Sequence, residues 1–212
     1  PQKNKKNNFF FDIYIKKYYL CDMGNEGNIV KMAMEYAFRC HGETNHLYDG
    51  KPYTVHLDDV FYVGLKFIYL VDGGSQQDVL AALWCHDVIE DTRQTYNDVL
   101  IETNKRVADL VYAVTNEKGK SRAERASDKY YAGIVGCEYG VFVKLCDRIA
   151  NVEYSKRNGG GMFEKYKKEN RNFLIRLGMY SEEYDCNINT RYLAMCVYLG
   201  DVLASAEGGG EK

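Results

Sequence analysis

The sequence predicts an all-α fold, a helical bundle of about eight to ten helices. Proline occurs only twice, at Pro1 and Pro52, so long stretches lack the residue that interrupts helices. Apolar residues recur three or four positions apart along most of the chain, as in helices with one buried face. Short polar or glycine-rich breaks separate these stretches. Together the features favour one helical domain.

The predicted helices follow one another with short connections. The first, 28–41, has its apolar residues at intervals of three and four. The second begins at about Thr54, after a polar loop that ends at Pro52. The third, 76–90, is apolar almost all round in its first half, which predicts burial. The remaining helices are predicted at 95–102, 105–115, 122–134, 139–155, 162–177 and 189–205.

The two ends of the chain differ in composition from the middle. Sixteen of residues 1–22 are Lys, Asn, Phe, Ile or Tyr, and Met23 follows. We expect this stretch to be an upstream in-frame extension or a divergent tail, and the alternative is a surface arm with apolar anchors. The working domain is then expected at 23–205, with a flexible, glycine-rich tail at 206–212.

Charge and cysteine content restrict the class of protein. The net charge is -2, and the chain contains no run of 18 apolar residues, so neither a nucleic-acid partner nor a membrane span is expected. Seven cysteines without a paired spacing are typical of reduced thiols in the cytoplasm. Cys85, beside His86, is an alternative nucleophile, although a small core residue is the commoner role. A homodimer is compatible with the sequence.

The third predicted helix ends in a cluster of charge. His86 and Asp87 are followed, four positions later in each case, by Glu90 and Asp91. Half-buried carboxylates near a helix C-terminus need a compensating cation. A divalent metal bound by histidine and aspartate would supply it. The alternative is a helix that simply emerges into solvent at His86.

Two other stretches favour the metal. His56 follows the only internal proline, at the opening of an apolar helix. In 139–155, Lys144, Asp147, Arg148 and Asn151 form one polar stripe on an otherwise apolar helix. A solvated face is the ordinary explanation, but short Asp and Asn side chains are poor choices for a free surface. Asp147 could therefore reach a metal while its neighbours contact a ligand.

The order of these motifs resembles the HD-domain metal phosphohydrolases, and more closely their RelA/SpoT hydrolase branch. GKPYTVH is similar to the G-x-P-Y-x-x-H segment of that branch, and LAALWCHDVIEDT to its L-A-A-L-L-H-D-x-x-E-D-T segment. VADLVYAVT and VKLCDRIAN resemble two further segments. The likeness spans roughly 28–178 in the correct order. Without an attached synthetase or regulatory region, the chain looks like the small, stand-alone alarmone hydrolases.

The resemblance implies a site and a reaction. The implied ligands of one Mn²⁺ are His56, His86, Asp87 and Asp147. Glu90 and Asp91 would orient or deprotonate the attacking water, while Asn151 contacts the nucleoside and Tyr154 continues that wall. The implied substrate is a small-molecule nucleotide, a guanosine 3′-pyrophosphate, and the products are pyrophosphate and GDP or GTP.

The negative charge of such a substrate needs cations. The candidates are Lys144, Arg148, Lys118, Lys120, Arg122 and Arg125. For the loop that carries the last four, the alternative is a solvated turn followed by an exposed helix start.

One segment departs from the pattern of the RelA/SpoT branch. An Arg-Lys pair normally precedes G-x-P-Y and packs on guanine, but no arginine stands there in this chain. His46 or Tyr48 could stack on a base instead, which puts guanine preference in doubt. Another nucleotide therefore stays open as the substrate, whether an adenosine alarmone, a nicotinamide nucleotide phosphate or a deoxynucleotide. A silent nucleotide-binding module is a further alternative.

Overall fold

The computed structural model describes residues 28–116, 119, 122–159, 161–183 and 186–205. Within them, the predicted all-α class is confirmed, and nine helices are seven residues long or longer. The predicted extension at 1–22 and the predicted tail at 206–212 lie outside these residues. The helices are α1 (Ile29–Glu43), α2 (Thr54–Phe67), α3 (Gln76–Cys85), α4 (Val88–Asp91), α5 (Tyr96–Glu102), α6 (Lys105–Val114), α7 (Arg122–Arg125), α8 (Asp128–Gly136), α9 (Gly140–Asn158), α10 (Gly161–Arg176) and α11 (Leu193–Ala204).

Polar side chains mark where several helices begin. The Asn28 side chain accepts hydrogen bonds from the first turn of α1, and Thr95 forms a capping box with Asp98 at the start of α5. Ser127 caps α8 by accepting from the Tyr130 amide. The single helix predicted at 122–134 is therefore wrong, because a second helix begins after Ser127.

The third predicted helix is also broken. α3 ends at Cys85, His86 and Asp87 form a turn, and the single turn of α4 follows. Asp87 has φ −104° and ψ 0°, outside regular helical values. The prediction of a continuous helix over 76–90 was therefore wrong, and the break falls where the histidine and the carboxylates cluster.

Two short hairpins interrupt the helical pattern. The loop predicted before Pro52 contains β1 (Leu47–Tyr48) paired with β2 (Lys51–Pro52). Asp49 and Gly50 connect the strands, both with positive φ, as a tight two-residue hairpin turn requires. A second hairpin pairs β3 (Tyr180–Ser181) with β4 (Cys186–Asn187).

The core is centred on α3, which packs against α1, α2, α6 and α9. Every residue from Val79 to Cys85 is buried. Trp84 stacks on Phe61 at 4.4 Å between ring centroids. α2 and α3 come so close at Gly64 that a Cβ there would lie 2.1 Å from Leu83 Cδ1. This packing fixes the ends of α2, α3 and α9 relative to one another.

None of the helices among the described residues combines the length and the apolar character of a transmembrane span.

Candidate active site

Four side chains from three separate elements converge at one end of the core. His56 lies on α2, His86 and Asp87 lie in the turn after α3, and Asp147 lies on α9. His56 Nε2 is 3.4 Å from Asp147 Oδ1 and 3.6 Å from Asp87 Oδ2. His86 Nε2 is 2.9 Å from Asp87 Oδ2 and 4.0 Å from Asp147 Oδ1. Ligand atoms of His56, His86 and Asp147 lie within 4.8 Å of one another.

The orientation of His86 fits a metal ligand. Its Nδ1 lies 2.9 Å from the Leu83 carbonyl oxygen, and because a carbonyl can only accept, Nδ1 carries the proton. When the ring is neutral, the buried Nε2 is therefore a bare acceptor facing the carboxylates, with Asp87 Oδ2 at 2.9 Å. A backbone carbonyl that holds the other ring nitrogen is the usual arrangement for metal-binding histidines.

The charge balance of the cluster also fits a cation. Burial opposes ionisation of Asp87, but His86 and His56 outweigh it and hold the pKa of Asp87 well below its usual range. Burial lowers the pKa of His56, but the hydrogen bonds that His56 donates to Asp147 and Asp87, together with the charges of these carboxylates, raise it to about 9. The two carboxylates thus draw positive charge into a buried space, and a divalent ion would supply the same charge.

Tyr53 supports the cluster, and sequence reasoning gave it no role. Its buried hydroxyl donates to Asp87 Oδ2, and burial together with the Asp87 charge raises its pKa, so it remains a donor. The imidazoles of His41 and His46 lie side by side on the Tyr53 ring, at 4.5 and 4.0 Å between centroids. Their Nδ1 atoms are 3.1 Å apart. Tyr53 belongs to the G-K-P-Y motif, which was the available signal.

A pocket of about 310 Å³ opens beside the cluster and contains most of the predicted site. Its wall includes the predicted catalytic pair, Glu90 and Asp91, and the predicted substrate contacts Lys144, Arg148 and Asn151. For Asp91, partial burial and the neighbouring charges of Asp87 and Glu90 raise the pKa to about 7.

Asn116 is a pocket residue that the sequence did not single out. Its side-chain amide donates to Glu90 Oε1 at 2.7 Å, and its backbone N–H donates to Glu90 Oε2 at 3.2 Å. The only sequence feature that could have indicated Asn116 is its position directly after Val114 and Thr115 of the VADLVYAVT segment.

The polar stripe of α9 points into the pocket rather than into solvent. Lys144 Nζ lies 2.9 Å from Asp147 Oδ2, and both side chains are mostly buried. Asn151 donates to Asp147 Oδ1 and to its backbone oxygen. The Arg148 guanidinium lies over the Phe173 ring at 4.1 Å. The solvated-face alternative is therefore wrong for these residues.

The hairpin places the candidate base-stacking residues outside the pocket wall. The Tyr48 ring stacks on His56 at 4.8 Å, and its hydroxyl donates to Asn151 Oδ1 at 2.7 Å. Tyr154 donates to Asp49 at 3.1 Å. His46 faces Asp91, with 3.9 Å between Nδ1 and Oδ2.

The basic loop is only partly described. Arg125 lies on α7 and lines the pocket. Lys118 and Lys120 lie outside the described residues, as does the side chain of Arg122. Cys85 is buried with its sulfur 3.5 Å from the Ala33 carbonyl oxygen, in a core position.

The all-α fold and the imidazole–carboxylate cluster resemble the helical metal-binding domains of the HD type. Comparison with known proteins adds to this resemblance. No protein-family model matches the chain. The chain is 34% identical over 127 residues to the guanosine-3′,5′-bis(diphosphate) 3′-pyrophosphohydrolase of Aquifex aeolicus, over 58% of this chain and 17% of the relative. It is 30% identical over 97 residues to a probable enzyme of the same name from Mycoplasma pneumoniae, over 46% of this chain and 12% of the relative.

The chain therefore spans less than a fifth of the length of these curated relatives. A solved structure of a metazoan ortholog of SpoT, described as hydrolysing ppGpp and playing a role in starvation responses, shares the fold. Its TM-score is 0.60 at 18% identity, over 85% of this chain and 96% of that one. The resemblance to the HD-type RelA/SpoT hydrolases is thus confirmed.

Proposed function

We propose that the chain is a metal-dependent 3′-pyrophosphohydrolase of guanosine 3′,5′-bis(diphosphate) and of its 5′-triphosphate form, which releases pyrophosphate and leaves GDP and GTP, respectively. The observation that carries this proposal is the convergence of two histidines and two aspartates, from three separate elements, at the edge of a pocket that also contains two further carboxylates and several cations. The names of the two curated relatives support the same reaction.

The metal site would be formed by the four convergent side chains. His56, His86, Asp87 and Asp147 would hold one divalent ion, for which we propose Mn²⁺ because mixed imidazole and carboxylate ligation suits it. When bound, the ion lowers the pKa of a coordinated water and polarises a phosphoryl oxygen. The chain itself fixes the ligands: the Leu83 carbonyl orients His86, and the Tyr53 hydroxyl orients Asp87.

Glu90 and Asp91 would handle the attacking water. Both carboxylates line the pocket one turn beyond the metal ligands, so either can orient the water and accept its proton. The raised pKa of Asp91, about 7, matches a group that gains and loses a proton near neutral pH.

The cations of the pocket would bind the phosphates. Lys144 is buried beside Asp147, and Arg148 and Arg125 line the same wall. Lys118, Lys120 and Arg122 would add further positive charge. Asn151 would contact the nucleoside, with Tyr154 behind it.

The hairpin favours a second candidate, a metal-dependent phosphohydrolase that acts on a different nucleotide. His46 and Tyr48 stand where the RelA/SpoT branch carries its base-packing Arg-Lys pair, and their rings pack on Tyr53 and His56 instead. An adenosine alarmone, a nicotinamide nucleotide phosphate or a deoxynucleotide is then an alternative substrate.

A nucleotide panel tests these proposals. The protein is incubated with guanosine and adenosine alarmones, NADPH and deoxynucleotides, with Mn²⁺ or with a chelator, and released pyrophosphate and orthophosphate are measured separately. Pyrophosphate from the guanosine alarmone, abolished by chelator and by His86→Ala, is the expected result. Turnover of another nucleotide but not of the guanosine alarmone supports the second candidate, with pyrophosphate released from an adenosine alarmone or orthophosphate from NADPH. Nucleotide binding without turnover would replace both with a silent binding module.

A further inference from the structure

Asn116 holds Glu90 from outside the helix on which Glu90 lies. α4 is a single turn, and a side chain on so short a helix has little local support. Asn116, 26 positions further along the chain, donates one hydrogen bond to each Glu90 oxygen, from its side-chain amide at 2.7 Å and its backbone N–H at 3.2 Å. The two bonds fix both the position of the carboxylate and the rotation of its plane.

The end of α6 makes Asn116 a rigid anchor. The Thr115 amide and hydroxyl both bond to the Val111 carbonyl, and the buried Tyr130 hydroxyl donates to the Val114 carbonyl at 2.8 Å. The backbone directly before Asn116 is thus tied to two helices. Asn116 can therefore impose an orientation on Glu90 rather than follow its movement.

We propose that Asn116 is a positioning residue that holds Glu90 in the orientation in which it engages the attacking water. Each carboxylate oxygen has a second lone pair, so the clamp leaves Glu90 able to accept a proton from the pocket side. This inference rests on the proposed function, because it assigns the clamp a role in the hydrolytic step.

A double-mutant cycle tests the role. Asn116→Ala should lower kcat by about tenfold or more, the usual effect of losing a partner that orients an active-site group, with KM changed little. In a Glu90→Ala background there is no carboxylate to orient, so Asn116→Ala should change kcat by less than about twofold. Equal losses in both backgrounds would overturn the proposal.

Asn104 offers a matched control at the other end of the same helix. Its side-chain amide donates to the Asp78 carboxylate at 2.8 Å, and its oxygen caps α6. Asn104→Ala should lower thermal stability but leave kcat unchanged. Asn116→Asp is the second variant, since it keeps the shape of the side chain and removes the donor, and it should lose kcat like Asn116→Ala. Full activity in Asn116→Asp would refute the clamp.

A readout without substrate separates this inference from the proposed function. In ¹H–¹⁵N spectra, the side-chain and backbone amide resonances of Asn116 should shift on Glu90→Ala. They should not shift on Glu102→Ala, which removes an exposed carboxylate paired with Arg39. Unshifted Asn116 amides in Glu90→Ala would overturn the clamp whatever the activity. If the wild-type protein hydrolysed none of the nucleotides, the proposed function would be rejected, but the contact between Asn116 and Glu90 would not.

Discussion

Lys144 and Asp147 form a buried ion pair whose loss can be estimated. Lys144 Nζ lies 2.9 Å from Asp147 Oδ2, with 16% and 14% of the two side chains exposed. At an effective dielectric constant of about 20, the attraction at this distance is about 6 kcal/mol, and desolvation of both charges offsets part of it. Removing one partner of a buried pair typically costs about 3–5 kcal/mol. Lys144→Met keeps the aliphatic stem and removes only the charge.

We expect Lys144→Met to destabilise the metal-free protein by about 3 kcal/mol. For a chain of this size that is a fall in Tm of roughly 6–12 °C, measured by circular dichroism in the presence of a chelator. If Asp147 binds the metal as proposed, saturating Mn²⁺ gives it a positive partner again. The rise in Tm caused by Mn²⁺ should therefore be larger in Lys144→Met than in the wild-type protein.

Lys105→Met is the matched control. Lys105 pairs with Asp109 at 2.6 Å within one helix, but 77% and 43% of these side chains are exposed. Such a surface pair contributes less than about 1 kcal/mol, so Tm should hardly change. If Lys144→Met lowers Tm no more than Lys105→Met, the reasoning from burial fails. If Mn²⁺ raises Tm equally in Lys144→Met and the wild type, Asp147 does not bind the metal.

Three further predictions follow from the site and the core. Glu90→Gln should bind Mn²⁺ as the wild type does in calorimetry but lose about hundredfold or more in kcat, and undiminished turnover would remove the general-base role. Burial lowers the pKa of His41 from 6.5 to about 4; because the unfolded chain then takes up the proton first, stability should fall as pH drops below 6.5, by up to about 2 kcal/mol at pH 5. Urea unfolding at neutral pH and at pH 5 measures this fall in the free energy of unfolding. The fall should be smaller in His41→Gln than in the wild type, and an equal fall would show that His41 is not its source. Gly64→Ala places a Cβ against buried Leu83, whereas Gly133 on α8 has nothing within 4 Å of its Cβ position. The free energy of unfolding should therefore be lower in Gly64→Ala than in Gly133→Ala by about 1–3 kcal/mol. A higher Tm in Gly64→Ala would refute the packing argument.

The helices were predictable where one face is continuously apolar. α1 and α9 begin within a residue of the predicted positions, because their burial follows the helical period. The break at His86 and Asp87 was not predictable in this way, since polar residues four apart fit a helix equally well. The structure departs from the helix there, and Asp87 Oδ2 comes within 2.9 Å of His86 Nε2.

The candidate site was also predictable only in part. The motifs resembling the RelA/SpoT branch predicted which four side chains converge and which carboxylates line the pocket, because each motif is a short continuous segment. The places of Asn116 and His41 in the site follow from contacts with residues distant in the chain, namely Glu90 for Asn116 and the Tyr53 ring for His41. A short sequence motif does not record such contacts. The Asp49-Gly50 turn did carry a local hairpin signal, but its strands have only two residues each and show no alternation.

Trp84 is the only tryptophan of the chain and is buried two positions before His86. Its ring lies flat on Phe61 at 4.4 Å and edge-on to Phe38 at 5.5 Å. Excitation at the red edge of indole absorption therefore reports on a single site next to the cluster. The intrinsic fluorescence of this one ring offers a label-free optical signal for titrating ions into the unmodified protein.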